Sequence, residues 1–188
     1  MAPAEALRPD QIQAGGDRFV SDTGELVWDL KHKQRGVVTI NSARSKAVSG
    51  YGAGERFDLG GVMVEPGRSL QDGWSAITVT VLEGDGVGPG SRSLITATGY
   101  IENTKMGWKN PEKTSVGTAW GEAPSLVEGI TARITFPFPA DRTRAWALDE
   151  RGQRLTAIPI ISEAGAKSVV AIGPSFRTLW YEVAITAE

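Results

Sequence analysis

The sequence predicts an all-β domain, a jelly-roll-like sandwich of two antiparallel sheets with little helix. Several segments alternate between apolar and polar residues with a period of two, and 23 glycines and ten prolines mark frequent turns. The best helix candidates, 4–13 and 122–128, are short and each contains a proline. Alternation gives each sheet one apolar face, which a second sheet must cover. A closed barrel is the alternative, but the long loops at 50–61 and 104–125 suit strands that switch sheets.

The first third of the chain predicts a lead-in followed by short strands. Residues 1–16 are rich in Ala, Pro and Gln and are expected to be a linker or tail, with a single domain over 17–188. Strands at 26–28 and 36–41 flank a charged turn and predict a hairpin. Two further short strands are expected on either side of a glycine-rich loop over 50–61, at 46–50 and 62–64.

Three segments in the middle of the chain alternate most clearly, namely 76–82, 94–103 and 130–136. If these strands are neighbours, their polar faces form one threonine-rich platform. Its members are Thr78, Thr80, Thr96, Thr98, Tyr100, Glu102, Thr131, Arg133 and Thr135. Such a platform could bind a glycan or dock on another domain, and it could equally be an ordinary solvated face, because threonine is simply a good strand residue.

The last third predicts a hairpin, a short strand and a terminal strand. Residues 144–160 contain a turn that closes at Gly152, and 169–172 is short and apolar. The terminal strand over 178–186 places one set of apolar side chains on a common face, namely Leu179, Tyr181, Val183 and Ile185. Three tryptophans within apolar strands are expected to be packed, namely Trp28, Trp146 and Trp180.

Charge and two scarce residue types exclude several functions. The net charge of −2 argues against nucleic acid as the main partner, because that partner requires a basic face. With no cysteine there is no disulfide, thiol nucleophile or thiolate metal site. The one histidine, His32, lies in a charged turn and is expected to be exposed, and a single histidine excludes HExxH. No run of about 18 apolar residues predicts a membrane span, and no signal peptide is recognised.

The segment 100–121 holds the main binding candidates. Its aromatic residues could stack on the C–H face of a sugar ring, and its amide and carboxylate groups could take sugar hydroxyls. The predicted carbohydrate-binding residues are Trp108, Trp120, Tyr100, Glu102 and Asn103, together with Arg133 and Trp74. Each tryptophan could instead be a core residue.

Catalysis and metal binding have weaker support. A glycosidase needs two carboxylates at a defined separation, and the spacing of Glu102, Glu112, Glu122 and Glu128 singles out no pair. Glu83 and Asp85 are candidate ligands for a structural calcium ion, but their spacing does not match an EF-hand, and a plain turn is the simpler interpretation. No other cofactor is expected.

Five stretches resemble a known class of domain: 19–29, 36–44, 101–108, 147–152 and 178–182. Together they resemble the C-terminal β-sandwich domains attached to the catalytic barrels of large secreted bacterial glycoside hydrolases. The resemblance covers most of 17–188. It implies an extracellular accessory domain, cut from a longer protein, whose partners are a polysaccharide and the parent's catalytic domain.

These observations favour a non-catalytic carbohydrate-binding module for plant cell-wall polysaccharide, such as β-glucan or xylan. The first alternative is a structural sandwich that packs on the catalytic barrel and binds no glycan itself. The second is a glycosidase that works with carboxylates alone.

Overall fold

Two antiparallel sheets build the protein in a computed structural model that describes residues 16–187. This confirms the predicted all-β sandwich. The larger sheet has the strand order β1-β2-β3-β4-β7-β8-β16-β12-β13. Its strands are β1 (Arg18–Val20), β2 (Leu26–Asp29), β3 (Val37–Asn41), β4 (Ser45–Tyr51), β7 (Trp74–Glu83), β8 (Arg92–Thr98), β12 (Thr143–Leu148), β13 (Arg154–Ile158) and β16 (Trp180–Ile185).

A smaller sheet and a two-stranded ribbon complete the fold. The small sheet has the order β14-β15-β11-β6-β5, and the ribbon pairs β9 with β10. The small-sheet strands are β5 (Phe57–Leu59), β6 (Val62–Pro66), β11 (Ala132–Phe136), β14 (Ile160–Glu163) and β15 (Lys167–Ile172), and the ribbon strands are β9 (Ile101–Thr104) and β10 (Glu122–Val127). Short 3-10 turns lie at His32–Gln34, Ala140–Arg142 and Pro174–Phe176. The predicted tail over 1–16, apart from Gly16, and the helix candidate 4–13 lie outside the described residues.

The core lies between the inner faces of the two sheets and follows the predicted alternation. Ile77, Val79 and Ile95 of the large sheet are fully buried, as are Ile134 and Phe136 of the small sheet. Their neighbours in sequence point to the opposite face, as a period of two requires. The burial of these branched and aromatic side chains is the main stabilising contribution to the sandwich.

Four predictions about the extent and type of individual segments are wrong. The strand predicted at 94–103 ends at Thr98, and Ile101, which a continued alternation would put on the same apolar face as Ile95, is 58% exposed. A Cβ on Gly99 would lie 2.5 Å from Glu128 Oε2, and that oxygen accepts a hydrogen bond from the Tyr100 backbone nitrogen at 3.0 Å. The Glu128 side chain therefore occupies the space beside Gly99 at the end of the strand. The helix candidate 122–128 is largely strand β10, and part of the 50–61 loop is strand β5.

The proposed threonine platform is only half correct. Strands β7 and β8 are neighbours, and Thr78 and Thr96 face outward together. Strand β11 belongs to the small sheet, however, so Arg133 and the rest of the third segment lie in the other layer. Thr135, expected to face solvent, is buried.

His32 is also less exposed than its charged neighbours predicted. Its ring packs on Phe57 with centroids 5.7 Å apart, and its Nε2 atom lies 3.2 Å from a Glu55 carboxylate oxygen. The 3-10 turn at His32–Gln34 folds the ring back toward the sheet, which leaves 16% of the side chain exposed. A local run of charged residues therefore did not predict the environment of this side chain.

Tyr181 makes the stability of the fold sensitive to alkaline pH. Its hydroxyl donates to the Thr178 and Gly173 carbonyl oxygens at 3.0 and 3.2 Å, and burial raises the pKa of this side chain. Above about pH 10 the unfolded chain loses the tyrosine proton while the folded chain keeps it, so stability falls as pH rises. We expect Tyr181→Phe to lose less stability than the wild type between pH 8 and about pH 11, measured by urea unfolding.

Lys46 also makes stability depend on pH in this range, so the two proteins compared must both contain it. Burial lowers the pKa of Lys46, which gives stability a slope of the opposite sign in the alkaline range. Because Tyr181→Phe retains Lys46, the difference between the two curves isolates the tyrosine. Parallel curves for both proteins would contradict the assignment.

Candidate functional site

The outer face of the large sheet presents an exposed surface that includes aromatic side chains. We call it the open face and define it by outward residues of six adjacent strands: Trp28, Val38, Ile40, Ala47, Ser49, Ala76, Thr78, Thr96, Thr98 and Trp180. Trp28 is 48% exposed and Trp180 is 41% exposed, so these large rings are in contact with solvent. Large apolar side chains that stay exposed on one face of a sheet are candidates for a binding surface.

The open face has a floor of small side chains between two tryptophans. In one register row Ala47 lies opposite Thr78, Thr78 opposite Thr96, and Thr96 opposite Trp180. The neighbouring row begins at Trp28 on β2. Strands β2 and β16 are five strand spacings apart in the sheet order, or about 24 Å at ~4.8 Å per spacing. This separation suits a ligand longer than a single ring.

Hydroxyl groups line the middle of this floor. The Oγ1 atoms of Thr78 and Thr96 are hydrogen-bonded to each other at 2.8 Å, and each oxygen keeps further acceptor capacity. Ser49 and Thr98 lie one row away on the same face. The floor can therefore contact an apolar surface and also hydrogen-bond to hydroxyls of a ligand.

At one end of the open face lies Trp74, a predicted binding residue. It stands opposite Tyr51 across strands β7 and β4. The Arg35 guanidinium lies 4.1 Å from the centre of the Tyr51 ring and is ion-paired with Asp72 at 2.9 Å. The arginine therefore covers the tyrosine ring. Trp74 points to the same side of the large sheet as the residues of the open face.

On the outer face of the large sheet, along β16, a network of charged side chains surrounds a buried carboxylate. Glu182 lies on the outer face but is only 4% exposed, and it is bonded by Arg92 and by Arg154. Arg154 also stacks on Trp146, with 3.7 Å from its guanidinium carbon to the ring centre. Arg92 reaches Glu83 at 2.5 Å as well, and this contact lowers the pKa of Glu83. Two acidic and two basic side chains balance, so the network adds no net charge to the open face.

The two calcium candidates have separate environments. Glu83 is ion-paired with Arg92, and Asp85 is exposed in the turn that follows β7. Among residues 16–187 no group of three or more His, Cys, Asp or Glu side chains could hold a metal ion.

The structure joins three of the predicted binding residues in one hydrogen-bonded chain. Trp108 Nε1 donates to the Tyr100 hydroxyl at 2.8 Å, and that hydroxyl donates to Glu102 Oε2 at 2.6 Å. The Lys113 ammonium lies 4.4 Å from the centre of the Tyr100 ring. These polar groups bond to one another, and the lysine covers one ring face.

Two further predicted residues fix the ribbon. Asn103 Nδ2 donates to the Trp120 carbonyl oxygen at 2.9 Å, and Asn103 Oδ1 accepts from Ser125 at 2.6 Å. The Trp120 side chain is 66% exposed. Asn103 is thus engaged in local structure, and Trp120 is the most accessible aromatic of the ribbon region.

Arg133 is apart from the other predicted residues. It lies on β11 of the small sheet, where its register partners are Glu65 and Ala171. Arg133 therefore belongs to a surface of the small sheet, whereas Tyr100, Glu102 and Trp108 lie on and beside the ribbon.

Sequence reasoning missed Trp28 and Trp180, which it expected to be packed. The signal was present in the phase of the alternation. Tyr181, Val183 and Ile185 are buried, so a period of two places Trp180 on the opposite, outward face. Strand β2 shows the same phase, since Trp28 and Leu26 are exposed while Val27 is half-buried.

Comparison with known proteins found no relative of this chain. The chain matches no protein-family model, and neither the curated proteins nor the solved structures contain a match. No helix among residues 16–187 has the length and apolar character needed to cross a membrane.

Proposed function

We propose that this protein is a non-catalytic carbohydrate-binding module that binds plant cell-wall polysaccharide on its open face. One observation carries the proposal. Trp28 and Trp180 flank a floor of alanine, serine and threonine side chains, and all of these point to the same side of the large sheet. In its cellular setting the module would be an accessory domain of a secreted glycoside hydrolase.

The chemistry of the open face suits a neutral sugar chain. Tryptophan rings offer an apolar face to the C–H bonds of a sugar, and threonine and serine hydroxyls exchange hydrogen bonds with its hydroxyls. The charges nearest the floor balance each other, because the two acidic side chains, Glu182 and Glu83, are paired with two basic ones, Arg92 and Arg154. A neutral ligand needs no unpaired charge for recognition, and water-bridged contacts can serve its remaining hydroxyls.

The open face supports the proposal better than the predicted ribbon site does. The hydroxyl of Tyr100 and the indole nitrogen of Trp108 already bond to partners within the protein. A sugar bound there would have to displace these partners or the Lys113 side chain. Trp28 and Trp180 have no such polar group lying on their exposed surface among the described contacts.

Affinity electrophoresis on xylan, β-glucan and mannan, with pull-down on cellulose, tests the proposal. We expect retardation on at least one glycan, and a loss of about tenfold in affinity for Trp28→Ala and for Trp180→Ala, because each removes one stacking surface. Trp120→Ala is the matched control, since it removes an exposed tryptophan outside the open face. Failure of all four glycans to bind would overturn the proposal, and loss of binding only in Trp120→Ala would move the site to the ribbon.

A bracing role is the second candidate, and the ribbon favours it. Ile101, Leu126 and Val127 are large apolar residues that stay exposed on β9 and β10. A two-stranded ribbon is marginally stable alone, so a contact with a neighbouring domain would stabilise it. Bracing predicts that the domain co-purifies with the separately expressed catalytic domain of its parent enzyme. Loss of this co-purification in Leu126→Lys, while glycan binding persists, would support bracing through this surface.

A further inference from the structure

The open face consists of two adjacent register rows that cross the strands of the large sheet. One row runs through Trp28, Val38, Ser49, Ala76 and Thr98, and the other through Ile40, Ala47, Thr78, Thr96 and Trp180. Neighbouring rows on one face are two residues apart along a strand, or ~6.8 Å. None of these side chains is charged, so the two rows together form an uncharged lane from β2 to β16.

Both rows of the lane continue beyond their tryptophan. The first row passes from Trp28 to Phe19 on the edge strand β1. The second row passes from Trp180 to Leu148 on β12 and then to Arg154 on β13. The Arg154 guanidinium is drawn into the neighbouring row, where it bonds to a carboxylate and stacks on an indole ring. A bound chain can therefore extend past either tryptophan.

Only a chain that crosses the strands can contact both tryptophans of the lane. Trp28 lies on β2 and Trp180 lies on β16, five strand spacings apart in the sheet order. A chain laid parallel to the strands, for example along β7, would pass Trp74 and would miss both. The crossing direction also keeps the chain on uncharged side chains, because the ion pairs described above lie to either side of the lane. Covering those ion pairs would cost desolvation free energy.

The twist of the sheet decides which form of glycan fits the lane. Adjacent strands of a sheet are rotated by roughly 20–25°, so the outward direction turns by about 100° between β2 and β16. A flat crystalline surface cannot contact both Trp28 and Trp180 across such a turn, whereas a single chain can wind with the sheet. The lane therefore suits one glycan chain and not a flat array of chains.

We propose that the open face binds an internal segment of a single glycan chain, about five rings long, that crosses the strands. The inference rests on the function proposed above. A sugar ring with its linkage is as long as roughly one strand spacing, so about five rings cover the distance between Trp28 and Trp180. Thr78 and Thr96 offer their hydroxyl groups to the rings in the middle. Because both ends of the segment can run beyond the lane, recognition needs no chain terminus.

Oligosaccharides of increasing length, cut from the polysaccharide that gives the strongest retardation, test the length of the segment by calorimetry. Affinity is expected to rise up to about five rings and to change less than about twofold beyond that. The pentamer reaches both tryptophans and the trimer only one, so we expect the pentamer to bind about tenfold more tightly. In Trp28→Ala, and likewise in Trp180→Ala, pentamer and trimer are expected to bind alike. Trp120→Ala removes an exposed tryptophan outside the lane and should keep the tenfold difference.

Partial acid hydrolysis of the same polysaccharide tests whether chain ends matter. Internal binding predicts an equal number of sites per gram for intact and fragmented samples, provided that the fragments stay longer than the segment. A number of sites that grows in proportion to the chain ends would contradict internal binding. Tighter binding to crystalline cellulose than to every soluble glycan would contradict the assignment to a single chain.

The outcomes separate this inference from the proposed function. Equal affinity of the wild type for trimer and pentamer, with Trp28→Ala and Trp180→Ala both impaired, would overturn the crossing segment and leave glycan binding on the open face intact. Impaired binding in Trp74→Ala alone would overturn the crossing direction and place the chain along β7. Absence of binding to every glycan would overturn both proposals. The length series on the wild type depends on no variant, and far-UV circular dichroism checks that each variant is folded.

Discussion

Replacing Phe136 with alanine is expected to lower the free energy of unfolding by about 4 kcal/mol. The ring is fully buried on β11, between the two sheets, and belongs to the central cluster with Ile134 and Val64. Truncation removes the transfer free energy of the ring and leaves a cavity, because packed neighbours on strands that are hydrogen-bonded on both sides can relax only partly.

Urea unfolding of the wild type and three variants measures the effect. Phe136→Leu retains most of the apolar volume and is expected to cost about 1 kcal/mol. Leu155→Ala removes a side chain that is 64% exposed and is expected to change stability by less than about 0.5 kcal/mol. Equal losses for Phe136→Ala and Leu155→Ala would show that Phe136 does not lie in the cooperative core.

The sheet elements were predictable because burial imposes a period of two on the residues themselves. Ile77, Val79 and Val81 alternate with Thr78 and Thr80 in the sequence, and the structure buries the first set. Local alternation carries no information on which strands become neighbours. The segment 130–136 has the same pattern as 76–82, yet it joins the other sheet.

The break after β8 depended on a side chain far along the sequence. Glu128 Oε1 accepts from the Leu70 backbone nitrogen at 2.7 Å, and Oε2 accepts from Tyr100. One carboxylate therefore ties the start of the ribbon to a separate loop. Neither the alternation at 94–103 nor the composition of the loop could reveal that contact, so the strand was predicted to run too far.

Residue types at the candidate site were predictable, but their availability was not. Tyr100, Glu102 and Trp108 carry groups that can bind sugars, and in the fold the same donors and acceptors satisfy one another. Their position within apolar strands predicts that Trp28 and Trp180 are packed, whereas their phase relative to Val27 and Tyr181 places them on the outer face. The phase of the alternation predicts exposure better than the residue type does, because the face of the sheet decides which side chains are buried.

Gly50 connects backbone conformation to the geometry of the open face. Its φ is 135°, and a Cβ there would lie 2.6 Å from the Gly36 carbonyl oxygen and 2.7 Å from Val37 Cα. Both contacts are with backbone, so rotation of a side chain cannot relieve them. We expect Gly50→Ala to lower the free energy of unfolding by about 3 kcal/mol, from backbone strain and steric overlap together.

Two control glycines separate these causes. Gly54 has a φ of 78° with nothing near its Cβ position, so Gly54→Ala is expected to cost about 1 kcal/mol from strain alone. Gly88 has open space and no positive φ, so Gly88→Ala is expected to be neutral.

Because Gly50 pairs with Val37 and the Tyr51 nitrogen donates to the Gly36 carbonyl oxygen, any relief of the overlap must move β3 against β4. That movement shifts Val38 and Ile40 relative to Ala47 and Ser49 on the open face. Gly50→Ala should therefore also weaken glycan binding below its unfolding temperature, whereas Gly54→Ala should not, and wild-type stability in Gly50→Ala would contradict the steric argument.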